Sequence, residues 1–283
     1  MTVRTVLRRD KGISTRLIRK VTHGGGELLV GGAPARFVDR VHAGDEIKLV
    51  MPEERSGFVA QDIPLDVIYE DEHLLAINKQ PGLVVHPTKG HADGTLANAV
   101  QRYMERSGEA YKIRFISRLD MDTSGVLLIG KNSLAQSDFA IQSAAGHVQK
   151  EYIALVCGVL EGSGLIDAPI ALEREGSPKR TVRDDGYPSK TEYYAVRIAG
   201  PSGSEYTILR IILHTGRTHQ IRVHLAHIGH PVLGDSLYGD ASSLIARQAL
   251  HSHTISFPHP ITGKRLDLTA ELHKDMKKLL VSS

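Results

Sequence analysis

The chain has 283 residues, 41% hydrophobic and 24% charged, with a net charge of +3 and one cysteine. That composition suits a globular protein of one large and one small domain, or of two domains. It excludes an internal disulfide and a cysteine-rich metal centre, and no apolar run approaches the roughly 20 residues that span a bilayer. A sequence pI near 8.9 permits nucleic-acid binding where charge is clustered, without requiring it. Met1-Thr2-Val3-Arg4 is followed by no apolar signal region, so the expectation is a cytoplasmic protein.

In residues 1–52, Ser14 can cap a helix that places Leu17, Ile18 and Val21 on one face and Arg16, Arg19 and Lys20 on the other. Gly24-Gly25-Gly26 ends it. Short strands follow at Glu27–Val30 and Glu46–Val50, with turns at Gly31-Gly32 and Gly44-Asp45. So small a unit buries little core and reads as an appended binding module. With Arg4, Arg8, Arg9, Lys11, Arg36 and Arg40, its helix can form a phosphate-binding face or simply a solvated basic one.

Residues 53–64 are polar and read as a linker to a second domain, residues 65–283. A hairpin is expected from Leu65–Glu70 and His73–Lys79, with Asp71-Glu72 at its turn. Gln80-Pro81-Gly82 breaks the second strand, and Val84-Val85-His86-Pro87 is an extended loop. Thr95–Arg106 reads as an amphipathic core helix.

Val126–Ile129 is short, apolar and bounded by glycines, hence a buried strand. Arg118 and Asp120 sit in the loop feeding it. The residues alone allow two readings: a turn in which Asp120 caps Thr123 or Ser124, or a reactive carboxylate held rigidly against the strand. Gly125 to Lys131 has P-loop spacing, but Asn132 replaces the required hydroxyl residue and the interior is a stiff strand, so a nucleotide site is rejected.

A helix from Asn132 or Ser133 to about Ala145 leads into a strand, Lys150–Val156, extended by Cys157 as a buried small hydrophobe. Pro169–Pro188 is charged and turn-rich, the pattern of a mobile substrate-side loop. Strands are expected at Lys190–Ile198 and Tyr206–Leu213, then a turn into a helix on which His219 and Arg222 share a face. His230–Gly239 reads as a structural turn. His224, His227, His251 and His253 invite a metal, but no carboxylate or cysteine completes a recognisable ligand set.

Several of these stretches resemble the motifs of the RluA-type RNA pseudouridine synthases. Arg118, Leu119, Asp120, Thr123, Ser124 and Gly125 match H-R-L-D-x-x-T-S-G, with Ser117 in place of the histidine. Residues 78–87 are similar to N-K-P-x-G-L-x-V-H-P, with Gln80 as a departure. Lys150, Tyr152 and Ala154 match K-x-Y-x-A, and residues 215–224 match T-G-R-x-H-Q-I-R-x-H. The first fifty residues resemble the small RNA-binding domain named after a ribosomal small-subunit protein (the S-four domain), with Val30-Gly31-Gly32 for its usual Val-Asn-Gly.

The resemblance implies an α+β pseudouridine synthase domain with a mixed, mostly antiparallel sheet behind an S-four-like module. It implies a catalytic Asp120, an Arg222 that pairs with it, and an active-site Tyr152. It further implies RNA-contacting or base-flipping roles for Arg118, Arg217 and His219, an RNA contact or packing near the catalytic loop for Lys79 and His86, and RNA binding by Arg16, Arg19 and Lys20. The expected partner is RNA, ribosomal before transfer RNA, with a monomeric enzyme, no membrane and no cofactor or metal. The reaction is an isomerisation in which the uracil leaves with delocalised charge and no water is activated, so one carboxylate suffices where glycosidases use two. The competing classes are a non-catalytic RNA-binding assembly factor, which would lose one of the three central residues, and a nucleoside hydrolase, which would need a second carboxylate.

Overall fold

The computed structural model describes residues 1–9, 13–52, 54–88, 90–201 and 205–281, with the side chains of Arg16 and Val281 excepted. Lys11 and the Arg16 side chain, both assigned above to the basic face, lie outside it.

The N-terminal unit contains α1 (Val3–Arg9), α2 (Thr15–His23), β1 (Glu27–Val30), β2 (Ala33–Pro34) and β3 (Ile47–Val50). Ser14 caps α2 as expected, its Oγ accepting the Leu17 N–H at 3.2 Å. The helix α1 was not expected; it buries Val3 and Leu7, one turn apart, against Leu17, Ile18, Val21 and Leu28. The strands form a sheet in the order β2-β1-β3.

The segment read as a linker has no regular element, yet it does not hang free. Phe58 and Ile63 pack on the core of the larger unit, and Val59 O accepts Asn98 Nδ2 at 2.8 Å. Glu54 takes ion pairs from Lys20 of α2 and from the buried Arg114. A point of the N-terminal unit is thereby tied to the large one.

The large unit continues with β4 (Val67–Glu70), β5 (Leu74–Lys79), α3 (Leu96–Ser107), β6 (Arg114–Phe115), β7 (Ser124–Gly130), α4 (Ser133–Ala144) and β8 (Gln149–Cys157). It then runs through β9 (Ser163–Asp167), β10 (Ile170–Leu172), β11 (Arg180–Val182), β12 (Lys190–Ala199), β13 (Tyr206–Leu213) and α5 (Gln220–His227). It closes with β14 (Leu250–Pro258), β15 (Arg265–Thr269) and α6 (Lys274–Val281). The main sheet runs β4-β5-β7-β14-β8-β13-β12-β9, with β6 beside β7 and β15 beside β14. Its pairings among the described residues are antiparallel, save β7 with β14.

That parallel junction explains the continuous apolar run in the sequence. All seven residues of β7 are buried, with cores on both faces of the sheet. Gly125 sits at the junction with φ of +110°, and a Cβ there would lie 2.1 Å from Ser252 O. Only glycine lets the two backbones meet so closely.

The stretch 169–188 corrects the expectation of a mobile loop. β10 and β11 pair as an antiparallel hairpin, and Ile170 and Tyr187 exchange both backbone hydrogen bonds, at 2.9 and 3.0 Å. Charge and turn formers there mark the hairpin's ends rather than an unstructured loop.

Candidate active site

The loop before β7 is fastened from several directions. Ile116 N donates to Leu128 O at 2.9 Å, and Ser117 Oγ accepts the Leu128 N–H at 3.0 Å. Ser117 therefore has a backbone-holding role where the resemblance would place histidine. Leu119 packs against the apolar clusters on both sides of it. Asp120 to Thr123 forms a turn, with Thr123 N donating to Asp120 O at 3.1 Å.

Two buried cations hold the next carbonyls. Lys79 Nζ donates to Met121 O at 2.7 Å and to Gln80 O and Leu83 O at 2.9 Å. Arg247 Nη1 donates to Asp122 O at 2.9 Å, while its other nitrogens grip Asp275 of α6 at 2.7 and 2.9 Å. Burial pushes the Lys79 ammonium down to about 7, partly offset by Asp122 and Asp120. The Asp275 carboxyl is held at about 2: burial raises it, and the bonds from Arg247 and His273 bring it down further than that. Beneath the loop, Ser124 Oγ donates to His251 Nδ1 at 2.9 Å and His251 Nε2 donates to Ala270 O at 3.2 Å. Burial takes this imidazole down to about 4, so at neutral pH it is uncharged, with its proton on Nε2 toward the carbonyl and Nδ1 accepting from the serine.

Against that platform stands Arg222 of α5. Its Nε and Nη2 form a bidentate pair with Asp235, at 2.6 and 2.8 Å, and Nη1 donates to Asp120 Oδ2 at 2.9 Å. Its guanidinium carbon lies 5.1 Å from the centroid of the Tyr238 ring. Burial opposes the charge, but Asp235 and Asp120 outweigh it and the pKa of Arg222 is raised. The Asp235 side chain is wholly covered, whereas that of Asp120 is 26% exposed. One carboxylate is thus sealed as the arginine's anchor, and the other is open to solvent.

His219 precedes α5 with φ of 58°, the sole positive-φ non-glycine among the described residues. It is therefore not on the helix face with Arg222, as spacing suggested, but turned at its N-cap. The Tyr238 hydroxyl accepts the Arg180 N–H at 2.8 Å and donates to His219 Nδ1 at 2.8 Å. That leaves the proton on Nε2, 3.9 Å from Asp120 Oδ1. Burial lowers the imidazole's pKa against the pull of Asp120.

Tyr152 on β8 is buried, and its phenol is pushed up to about 12, by burial first and by the Asp120 charge, with Ser252 pulling the other way. It is a protonated ring within electrostatic reach of the carboxylate. The structure thus groups Asp120, Tyr152, Arg222 and His219, from the loop before β7, from β8, and from α5 with its N-cap.

The remaining expected residues divide. Arg118 is exposed beside Asp120 and donates weakly to Thr218 Oγ1 at 3.5 Å. Arg217 is exposed over the Tyr187 ring. His86 is exposed, edge-on to Phe58 and Phe115. Of the two alternatives for Lys79, an RNA contact and packing near the catalytic loop, the structure favours the second and corrects the first: 1% exposed, it spends its three donors on backbone beneath the loop. Lys20 is likewise turned to Glu54, leaving Arg19 exposed on that helix.

Asp235, Tyr238 and Arg247 were missed. The first two lie in a turn read as merely structural. The one available signal was an aspartate between glycine and serine after a basic helix, and nothing local links it to an arginine 13 residues earlier. His224, a metal candidate by spacing, uses both ring nitrogens on Thr191 Oγ1 and Ala168 O, each at 2.9 Å.

The family described as RNA pseudouridylate synthase matches residues 73–227, which contain every residue of this constellation except Asp235, Tyr238 and the clamp residues of the C-terminal segment. An uncharacterized RNA pseudouridine synthase of Bacillus subtilis, YjbO, is 38% identical over 274 residues, 96% of this chain and 95% of the relative. A ribosomal large subunit pseudouridine synthase D of Xanthomonas campestris is 38% identical over 90% of this chain and 80% of its own length. Among solved structures, human RNA pseudouridylate synthase domain containing 1 is 25% identical with a TM-score of 0.61, covering 77% of this chain and 86% of that one. No helix among the described residues is long and apolar enough to cross a membrane. On the match over most of its length and on these relatives, the chain belongs to the RNA pseudouridine synthases of the RluA type.

Proposed function

We propose that this pseudouridine synthase modifies uridines of large-subunit ribosomal RNA, with Asp120 as its reacting carboxylate. The printed names of several relatives, ribosomal large subunit pseudouridine synthase D, support the substrate class. The observation that carries the residue assignment is the unequal pair on Arg222: Asp235 is sealed and Asp120 is open.

In the reaction the N1–C1′ bond of the uridine breaks, the uracil turns, and C5 joins C1′ with loss of the C5 proton. Asp120 faces the reacting nucleoside, and Arg222 fixes which oxygen it presents. Because Asp235 is covered, it offers neither a second acid nor a base for water, which disfavours hydrolysis. Tyr152, protonated at neutral pH, presents a ring face and a hydroxyl to the base rather than a standing phenolate. Arg118, exposed at the rim, fills the place the uridine leaves when it flips from its stack. The N-terminal unit, with Arg19 outward, holds flanking phosphates.

The test is tritium release from C5-labelled, unmodified large-subunit ribosomal RNA by wild type and Asp120→Asn. Wild type releases tritium. The variant binds RNA with turnover lower by about a thousandfold or more, equivalent to about 4 kcal/mol of barrier. Near-normal release by the variant would sink the assignment of Asp120. RNA binding without release by wild type would favour an assembly factor.

A further inference from the structure

Tyr187 is 70% exposed, among the most exposed large side chains of the described residues. Its backbone is the opposite of loose. It exchanges two hydrogen bonds with Ile170, and its carbonyl also accepts Ser189 Oγ at 2.8 Å. The preceding Gly186 is packed so closely on β10 that a Cβ would fall 2.6 Å from Ile170 C. The ring is held too: the Arg217 guanidinium carbon lies 5.4 Å from its centroid, and Arg217 Nε donates to Pro188 O at 3.4 Å. One face is therefore backed by a cation, and most of the ring is left to solvent.

The position is what gives this meaning. Arg217 is followed by Thr218, which accepts from Arg118, and by His219, which faces Asp120. Tyr187, Arg217, Thr218 and Arg118 thus follow one another along the rim of the catalytic site. A rigid, solvent-facing aromatic backed by a guanidinium is the kind of surface on which unpaired nucleobases stack.

We propose that Tyr187 is a stacking platform for a nucleobase of the substrate RNA next to the flipped uridine, with Arg217 holding the ring and meeting the adjoining phosphate. This rests on the RNA-modifying reading above. It adds a binding residue that selects an unpaired neighbour for the target.

The chain has no tryptophan, so Tyr187→Trp creates a single reporter at this site. Total RNA from a strain lacking the gene is titrated against this variant, with filter retention scoring binding independently. The expected result is quenching of tryptophan emission that saturates with retention. In turnover assays on the same RNA, Tyr187→Ala is expected to raise KM roughly tenfold with kcat changed less than about twofold, and Tyr187→Phe to restore wild-type KM. Retention without quenching, together with an unchanged KM in Tyr187→Ala, would overturn the platform while leaving Asp120's role intact. Absence of retention on total RNA would overturn the RNA reading, and the platform with it.

Discussion

The loop around Asp120 and the basic face of α2 are both charged surface features, and they are built in opposite ways. In the first, consecutive carbonyls are tied to buried Lys79 and Arg247, a serine and a glycine seat the strand behind it, and Leu119 packs to either side. In the second, one lysine is turned aside to Glu54 and Arg19 simply stands in solvent. The bond-making role proposed for Asp120 needs a carboxylate fixed to within a fraction of an ångström, and the buried polar groups around the loop supply that fixity. The phosphate attraction proposed for the second is long-ranged and tolerant of geometry, so exposed cations would suffice for it.

The contrast can be broken at the buried anchor first. Asp235→Ala leaves Arg222 without its bidentate partner in a covered site and is expected to cost about 3–5 kcal/mol of stability. The urea midpoint should fall, and turnover with it, although the Asp235 side chain is wholly covered. A wild-type midpoint would show that Asp235 does not carry Arg222. Gly125→Ala forces a Cβ onto the Ser252 carbonyl at a left-handed φ and should cost on the order of 4 kcal/mol. Soluble, active Gly125→Ala protein would mean that the parallel junction can open without disturbing Asp120.

The pH dependence of stability sharpens the same point. His251 is depressed in the fold from 6.5 to about 4, so its contribution is complete above pH 6.5 and is lost as pH falls toward 4. The loss should reach about 3 kcal/mol, because the unfolded chain binds a proton that the native ring refuses. Denaturation curves at pH 7 and pH 4 measure it, and His251→Asn should flatten that part of the profile. An unaltered profile would show that His251 is not the proton-refusing group. The smallest effect is expected at the exposed face. Arg19→Ala should weaken RNA binding evenly across sequences and reduce the salt slope by about 0.7–0.9, with kcat unchanged. An unchanged salt slope would remove Arg19 from the phosphate contacts.

Much of the local structure was legible in advance because its causes are local. Ser14 and Asn132 cap their helices through their side chains, and Thr95 precedes α3, each within a residue of the expected start. The apolar run at Val126 became a fully buried strand. What failed was partnership. For Lys79 an RNA contact and packing by the loop both stayed open, because nothing in its neighbours tells an inward from an outward lysine. The hairpin of β10 and β11 was hidden because its strands are only three residues each and its charges suggested solvent.

The sequence by itself determined the helix starts, the strand periodicity and the residue types that the chemistry needs, since each depends on neighbours a few positions apart. The pairing of Arg222 with Asp120 across 102 residues was implied by the family resemblance; only the tertiary structure decided that Asp235 rather than Asp122 shares the arginine, and that Arg247 holds the loop from 125 residues away. Those contacts exist because β7 runs parallel to β14 and antiparallel pairing then sets β8 and β13 in order beyond it. Strand order in a sheet is chosen by burial and backbone pairing over the whole chain, not by local propensity.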